Sequence, residues 1–544
     1  MVSPHGIQLA VHLISSFYGD LCSKVCECLL RRGTLTLALL IWYTELTKEN
    51  VIDCLRVLIH QNCVQAFAIE QEGAFDEAPR IVTQYMALFR NIIHKYRAPK
   101  FMQIVSEELG NDCLEIFQGL IQHGRLSINQ IIDRNEQTAG SSDVHVVRES
   151  LSRLLSARFI ERCPAPEPFL APPYEEETPA KRRAKSAKLA GEQTMEQRAL
   201  AAAAPIDSMR FVMEREMDDI SEEKGEESTN SMPLGEKRKQ DVLRSDEDVL
   251  DANRKKEVLW RVNFEEFVCR LRHKGCTSCV KTRINDEAGI VLSAILELSR
   301  HSEAQQKVEK SDYLSINAIY DKVIKKEGGL GMDFDRIRSS LAQLGCQSIT
   351  TGPHESYSID INGIIEMAQI EEAESVVLRK YGREAYRIFR LLSKGGRALE
   401  TYKIAETTFV EKDDILNRKE EKNGVQNQKK EKNGILKVLF SLWKDDYLHK
   451  ENVTTSAAER SLFCLWKVKE ALWEDVLDDM YHAALNLRLR IAHEQDQAKE
   501  LLQLPREKIV GELEKKYKLL GRVRVILESS LMNLDDAIML FNEF

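Results

Sequence analysis

The sequence predicts a mainly α-helical protein with small β wings, arranged as four tandem domains followed by a C-terminal helical hairpin. Three observations support this fold class: a repeated helix that ends at glycine, a repeated amphipathic helix that leads into a short extended stretch, and a leucine-rich C-terminal stripe. A chain of 544 residues is also too long for one hydrophobic core, which favours three to five domains.

The first repeated feature is an apolar helix that stops at a glycine before a short extended piece. It occurs at Leu29–Leu35, Leu120–Leu126 and Leu391–Arg397. Glycine tolerates the left-handed conformation in which many helices end. These three segments therefore predict three equivalent helix ends.

The second repeated feature closes each domain. Leucines at helical spacing lead directly into an extended stretch, at 55–64, 151–160, 341–349 and 436–448. Leucine at helical spacing usually indicates only a buried core, so a single copy is weak evidence. Four copies in the order helix, strand, helix, helix, hairpin indicate winged-helix domains, which we place at 1–82, 83–163, 252–370 and 371–472.

Residues 164–251 are predicted to form a disordered, charged, proline-rich linker. They hold eight of the 13 prolines, and 20 acidic residues stand against 13 basic ones between Pro164 and Leu250, a balance of −7. Such a composition buries too little apolar surface to offset chain entropy. The basic run Lys181, Arg182, Arg183 and Lys185 fits a nuclear-import signal, or equally a solvated charge cluster.

The C-terminal residues 473–544 are predicted to form a coiled-coil hairpin. Apolar residues follow helical spacing on both sides of Pro505, from Leu477 to Ile491 and from Leu513 to Ile538. The second stripe is close to a 3.5-residue period, which is typical of coiled coils. Packing against the last wing domain is the alternative, and the two are compatible.

A low-complexity insertion is predicted at about 413–434, inside the fourth domain. Lys419–Gly424 nearly recurs as Lys429–Gly434, and the stretch has no apolar face. We expect a solvated loop, and we expect the following helix, Ile435–Leu442, to be displaced or inactive in partner contact.

We find no motif for catalysis, for a cofactor or for a metal. The chain lacks a phosphate loop, an HExxH or GxSxG motif, and a second CxxC pair to accompany Cys276 and Cys279. Cys269 and His273 complete a zinc site only on paper, because structural zinc usually takes two separated ligand pairs. The sequence therefore predicts a non-enzyme without cofactors, and no membrane span or secretion signal.

Nucleic-acid contact is predicted at the third domain, although the net charge of −9 argues against a surface that is basic throughout. The candidates are Arg270, Arg272, Lys274, Lys281 and Arg283 near its start, and Arg336 and Arg338 in its last helix. The position of that last helix is where winged and helix-turn-helix proteins contact DNA. The same residues also fit a solvated surface or a protein interface, since no aromatic platform accompanies them.

This order of parts resembles the large winged-helix subunit of the RNA polymerase III heterotrimeric initiation subcomplex. The local matches are Phe159-Ile-Glu-Arg-Cys-Pro164, Glu374-Ser-Val-Val-Leu-Arg-Lys-Tyr-Gly-Arg-Glu-Ala-Tyr-Arg-Ile-Phe-Arg-Leu-Leu392 and Leu527-Glu-Ser-Ser-Leu531 onward. The resemblance covers essentially the whole chain. That family is similar to the alpha subunit of general factor IIE, which carries a zinc ribbon. The absence of a second CxxC pair favours the polymerase III family over this relative.

The resemblance implies a non-catalytic nuclear role in transcription. Members of that family bind the polymerase clamp, a second winged-helix subunit and a small acidic subunit, and they help recruit the enzyme and open promoter DNA for small non-coding RNAs such as tRNA and 5S rRNA. A factor-IIE-like general factor, a free-standing DNA-binding regulator and a winged-helix scaffold of the proteasome-lid type are the alternatives. The four wing-like domains and the net acidity disfavour the last two.

Overall fold

The computed structural model describes residues 2–71, 80–139, 144–170, 194–213, 258–303, 310–349, 355–409, 435–454, 462–469, 472–502 and 511–544. It divides the chain into two compact units, one formed mainly by residues 7–267 and the other mainly by residues 268–544. The predicted import residues Lys181, Arg182, Arg183 and Lys185 and the predicted insertion at 413–434 lie outside the described residues.

The first module follows the order helix, strand, helix, helix, hairpin. Its elements are α1 (Pro4–Tyr18), α2 (Asp20–Arg32), β1 (Leu35–Thr36), α3 (Leu37–Thr44), α4 (Lys48–His60), β2 (Val64–Gln71) and β3 (Arg80–Ala87). Thr36 and Thr47 cap α3 and α4, because their hydroxyls accept hydrogen bonds from backbone amides three residues on. Since β3 runs to Ala87 and pairs with both β1 and β2, the predicted boundary after residue 82 falls inside a strand and is wrong.

The second module repeats this order but ends differently. After α5 (Phe89–His94) and a 3₁₀ turn (Lys95–Arg97), its elements are α6 (Ala98–Leu109), α7 (Asn111–His123), β4 (Leu126–Ser127), α8 (Ile128–Ala139), α9 (Val144–Ser156) and β5 (Ile160–Arg162). Gly124 joins α7 to β4 with φ +83, and a Cβ there would stand 2.3 Å from the carbonyl oxygen of His60. Both the positive φ and this close approach require glycine.

The sheet of the second module is completed by a strand from beyond the predicted linker. β7 (Leu259–Val262) lies between β4 and β5 and pairs antiparallel with both. The predicted boundaries at 163 and 252 therefore separate strands of one sheet. A four-residue strand about 100 residues downstream leaves no local signal in the sequence, and the backbone pairing decides its place.

Two described parts of the predicted linker are ordered, which corrects the prediction of disorder throughout 164–251. β6 (Phe169–Leu170) pairs parallel with β2, and α10 (Met195–Ala203) buries Ala199 in the same small core as Leu170. α11 (Asp207–Arg210) lies against β5, where Arg210 pairs with the buried carboxylate of Glu161 at 2.5 Å.

The third module shows the same element order, and all its strands come from one stretch of the sequence, between residues 314 and 358. Its elements are α12 (Phe264–Arg283), α13 (Asp286–Glu303), β8 (Leu314–Ser315), α14 (Ile316–Ile324), α15 (Phe334–Gln343), β9 (Gln347–Ser348) and β10 (Ser356–Ser358). The middle strand is β10, which pairs with β8 and β9. The core gathers apolar side chains from α12 to α15, among them Val291, Leu292 and Ile337.

The fourth module begins on α16 (Ile361–Gly395), a long helix interrupted by non-helical φ and ψ at Gly382. Its other elements are β11 (Leu399–Glu400), α17 (Thr401–Phe409), α18 (residues 435–444), β12 (Leu448–Thr454) and β13 (Leu462–Val468). α18 buries Ile435, Leu439 and Leu442. The expected displacement of this helix is therefore wrong, because its apolar face is packed as in the other modules, whereas its inactivity in partner contact stays a prediction.

The chain ends in two long antiparallel helices, α19 (Leu472–Leu502) and α20 (Glu512–Asn542). The rings of Trp473 and Phe541 lie 5.6 Å apart, so the start of α19 meets the end of α20. Leu540 and Phe544 pack against the core of the third module, and the Gln369 amide donates to the Leu540 carbonyl at 2.9 Å.

Candidate nucleic-acid interface

The five basic residues predicted near the start of the third domain all lie on α12, but they do not share one face. At 100° per residue, Arg270, Lys274 and Lys281 point to one side of the helix, whereas Arg272 and Arg283 point to the opposite side. Sequence proximity placed the five together, and the helical period separates them into two groups.

Burial and pairing divide the group further. Arg272 is only 6% exposed, and the guanidinium of Arg283 pairs with Glu371 at 3.3 Å. Lys274 and Lys281 are exposed, and the methylenes of Lys281 lie across Gly289, where a Cβ would stand 2.2 Å from its Cγ. The exposed basic surface of α12 is therefore smaller than the sequence indicates.

The two arginines of α15, the last helix of the third module, are both in ion pairs. Arg336 donates to Glu287 at 2.7 Å, and Arg338 approaches Glu355 at 3.3 Å. Both arginines remain about half exposed. A phosphate that binds here must replace a carboxylate of the same module, which weakens any gain from the contact.

A basic stripe that the sequence analysis missed lies on the second half of α16. Arg383, Arg387, Arg390 and Lys394 are exposed and are spaced by four, three and four residues, which places them on one helical face. Glu384 is the one acidic residue in that interval of the sequence. We call these four residues the basic stripe.

The surroundings of the basic stripe are structured. The opposite side of α16 buries Ile388, Phe389 and Leu392, which fixes the direction of the stripe. Arg390 donates to the Tyr386 hydroxyl at 2.7 Å and lies 3.9 Å from Glu374. Burial raises the pKa of Glu374, whereas Arg390 and Lys394 act in the opposite direction. The signal that could have revealed this stripe is the period of the cations, rather than their local density.

The cysteines and histidine weighed as zinc ligands lie along α12. Cys276 is buried in the core of the third module, and the Cys269 sulfur lies 3.6 Å from Nε2 of His273. Burial, followed by the charge of Glu371, raises the pKa of the Cys279 thiol. In the part of the chain that the structure describes, no group of three or more His, Cys, Asp or Glu side chains is placed to hold a metal ion.

None of the helices within the described ranges is both long enough and apolar enough to cross a bilayer.

Two protein-family models match parts of this chain. The family model of the RNA polymerase III subunit RPC82 matches residues 149–368, and the model of the helix-turn-helix domain of that subunit matches residues 8–68. The first match covers β5 and β7 of the second module's sheet and the whole third module. The second covers α2 to α4 of the first module.

Curated relatives extend the match along the chain. DNA-directed RNA polymerase III subunit rpc3 of Dictyostelium discoideum is 20% identical, over 97% of this chain and 98% of the relative. Subunit RPC3 of Danio rerio is 23% identical over 71% of this chain and 68% of the relative. Subunit rpc3 of Botryotinia fuckeliana is 32% identical, but over only 24% of this chain and 18% of the relative. The two family models and these relatives all describe a subunit of RNA polymerase III, and this chain is similar to that subunit.

Proposed function

We propose that this chain is a non-catalytic subunit of nuclear RNA polymerase III that seats an initiation subcomplex on the polymerase clamp. The observation that carries the proposal is the alignment with a relative named RNA polymerase III subunit rpc3 along 97% of this chain and 98% of the relative. Four modules with winged-helix order, joined to an antiparallel helical hairpin, also suit a scaffold. The chemistry of RNA synthesis then belongs to other subunits.

The proposed partners are a second winged-helix subunit, a small acidic subunit, the clamp and promoter DNA. In this role the chain assists recruitment and DNA opening for small RNAs such as tRNA and 5S rRNA. Affinity purification of the tagged full chain from nuclei tests membership. We expect both largest polymerase III subunits in near-equal amounts with the chain. Recovery free of polymerase, or together with proteasome-lid subunits, contradicts the proposal.

Within this role, we propose that exposed cations of the third and fourth modules contact the DNA backbone during opening. Phosphate contacts contribute salt-dependent affinity without sequence information. The sequence-based candidate Arg272 is buried and Arg283, Arg336 and Arg338 are in ion pairs. The basic stripe and the exposed Lys274 and Lys281 are therefore better placed.

The test compares three charge-reversal variants in the reconstituted polymerase. They are Arg383→Glu/Arg387→Glu/Lys394→Glu on the basic stripe, Lys274→Glu/Lys281→Glu on α12, and the control Lys515→Glu/Lys516→Glu/Arg522→Glu on exposed positions of α20. We expect normal assembly and normal transcription from a pre-melted template for all three. Loss on a duplex promoter is expected for the first two variants. If assembly fails instead, the cations form a protein interface and the DNA role is wrong.

A further inference from the structure

α18 of the fourth module presents two large aromatic side chains to solvent. Its inner face buries Ile435, Leu439 and Leu442, whereas Phe440 is 42% exposed and Trp443 is 46% exposed on the outer side. Phe440 and Trp443 are three residues apart and therefore neighbours on the helix surface. α18 corresponds to α4 of the first module, because each is the last helix before the hairpin.

The Phe440 ring packs on a buried ring beneath it, and Trp443 packs on Phe440. The Phe440 ring meets Trp443 edge-on at 6.1 Å and Trp466 edge-on at 5.7 Å. Trp466 on β13 is fully buried, and its indole Nε1 donates to the Thr401 hydroxyl at 2.8 Å. A preorganised aromatic surface loses little conformational entropy when a ligand stacks on it.

Lysines surround these rings. Lys437 and Lys444 are exposed on the same face of α18 and line a groove of about 590 Å³ together with Phe440. Nζ of Lys450 on β12 lies 5.0 Å from the Phe440 ring centre and 5.9 Å from that of Trp443. We call Lys437, Phe440, Trp443, Lys444 and Lys450 the aromatic–lysine face.

The two carboxylates that follow Lys444 in the sequence are engaged elsewhere. Asp445 accepts hydrogen bonds from the hydroxyl of Tyr381 and from Lys380, and the Tyr381 contact holds the pKa of Asp445 below its ordinary value. Asp446 lies 3.5 Å from Lys469. The positive charge of the aromatic–lysine face is therefore not cancelled by these two residues.

The composition of this face distinguishes between classes of partner. Protein interfaces are enriched in aromatic residues and arginine but depleted in lysine, and the three cations here are all lysines. Paired bases in a duplex offer no open face for stacking, whereas unpaired bases stack on aromatic rings while cations follow the phosphates. We propose that the aromatic–lysine face binds single-stranded nucleic acid.

In this proposal Phe440 and Trp443 stack unpaired bases, and Lys437 and Lys444 contact the flanking phosphates. The inference goes beyond the proposed polymerase role and does not rest on it, because the purified full chain binds or does not bind an oligonucleotide by itself. Failure of this test leaves the purification test of polymerase membership unaffected.

The experiment measures fluorescence anisotropy of a fluorescein-labelled 20-nucleotide oligothymidylate with the purified full chain. Trp443→Ala is expected to weaken binding about 5- to 150-fold, the effect of removing one base–aromatic stack. Lys437→Gln/Lys444→Gln is expected to reduce the slope of log affinity against log salt by about 1.4, at about 0.7 for each lost phosphate contact. Trp42→Ala, an exposed tryptophan of the first module, is the matched control and should bind like the wild type.

Trp443→Phe keeps an aromatic ring and tests stacking even if the alanine variant folds poorly. It should retain most of the affinity, while the quenching of tryptophan fluorescence by the oligonucleotide should largely disappear. Unchanged affinity and salt slope in Trp443→Ala and in the double lysine variant overturn the proposal. So does binding of a polyglutamate peptide that these variants abolish while oligothymidylate binding persists, since the face is then a protein interface.

Discussion

The second and third modules have the same element order but close their sheets in different ways. In the second, the middle strand β7 arrives from about 100 residues downstream, and the buried Glu161 pairs with Arg210 and with Arg261 at 2.8 Å. In the third, the middle strand β10 belongs to a local hairpin, and the ion pairs lie at the surface. The second module therefore contains a long-range strand pairing with a buried ion pair. The third module instead contains a local hairpin with ion pairs at the surface.

The two modules should therefore differ in how strongly a substitution at an ion pair destabilises them. A buried carboxylate that loses a partner carries an uncompensated charge in a poorly solvated site, whereas a surface pair is replaced by water. Residues 207–213 are therefore structurally part of the second module. Arg210 reaches Glu161, and the Val212 carbonyl accepts a hydrogen bond from Arg162 at 3.1 Å.

The largest contrast is expected from the aromatic residues on the two middle strands. Trp260→Ala on β7 should lower the free energy of unfolding of the second module by about 3–5 kcal/mol, because Trp260 is fully buried and leaves a cavity. Tyr357→Ala on β10 should cost about 1 kcal/mol in the third module, since Tyr357 is half-buried and its hydroxyl donates to Glu355. Hydrogen exchange read by mass spectrometry along a urea series reports each module separately.

Equal costs for these two variants would contradict the comparison. They would mean that β7 contributes no more to its sheet than a local hairpin strand does. The far-ultraviolet circular dichroism of each variant serves as the check that the remaining modules stay folded.

The next contrast concerns the ion pairs. Arg210→Ala should lower the free energy of unfolding of the second module by about 1–3 kcal/mol, less than the loss of an isolated buried partner, because Glu161 keeps Arg261. The matched control Arg336→Ala removes an exposed pair with Glu287 and should cost at most about 1 kcal/mol in the third module. Both are measured by the same exchange experiment.

Limited proteolysis gives an independent check of this pair. Arg210→Ala should also expose β5 and β7 to faster cleavage, which Arg336→Ala should not do. If Arg210→Ala leaves the second module unchanged, residues 207–213 are no more than an attached linker, as the composition of the sequence predicted.

These contrasts also show which parts of the fold the sequence could predict. Local signals predict the helices and the hairpin of the third module, because the hairpin follows directly on α15, but the predicted start at residue 252 wrongly includes β7. The second module can be predicted from local signals only up to Arg162. Its remaining strand, β7, has four residues, and the strands with which it pairs lie far upstream. Glu161, Arg210 and Arg261 appear in the sequence as ordinary charged residues, and only the tertiary structure brings them together.

The candidate nucleic-acid interface likewise has parts that the sequence could predict and parts that only the tertiary structure reveals. The density of cations selected α12, where the helical period sends Arg272 and Arg283 to the side opposite Lys274. Reading the period of Arg383, Arg387, Arg390 and Lys394 would have found the basic stripe from sequence alone. The aromatic–lysine face could not be found in this way, because the same apolar spacing describes a buried and an exposed ring equally well.

The smallest expected effect is a pH-dependent one in the third module. Burial raises the pKa of Glu297, but hydrogen bonds from Lys326 and Lys322 outweigh it, so its pKa lies below the ordinary value of 4.5. A carboxylate with a lowered folded-state pKa stabilises the fold above its unfolded pKa, and this contribution is lost as the pH falls through the folded pKa. Because Glu297 is 41% exposed, Glu297→Gln should cost only about 0.5 kcal/mol at pH 7.

That cost should shrink as the pH falls below about 4.5, since the wild-type carboxyl group then becomes protonated and resembles the glutamine. Thermal unfolding of wild type and variant between pH 3 and pH 7, with exchange along the third module, measures the difference. Glu327→Gln, on an exposed neighbouring position, is the control and should show no such convergence. A difference for Glu297→Gln that stays constant across this range would mean that the two lysines act through packing alone. The pairs of Glu297 with Lys322 and Lys326 would then contribute no electrostatic stabilisation, and their contrast with the buried carboxylate of the second module would be larger.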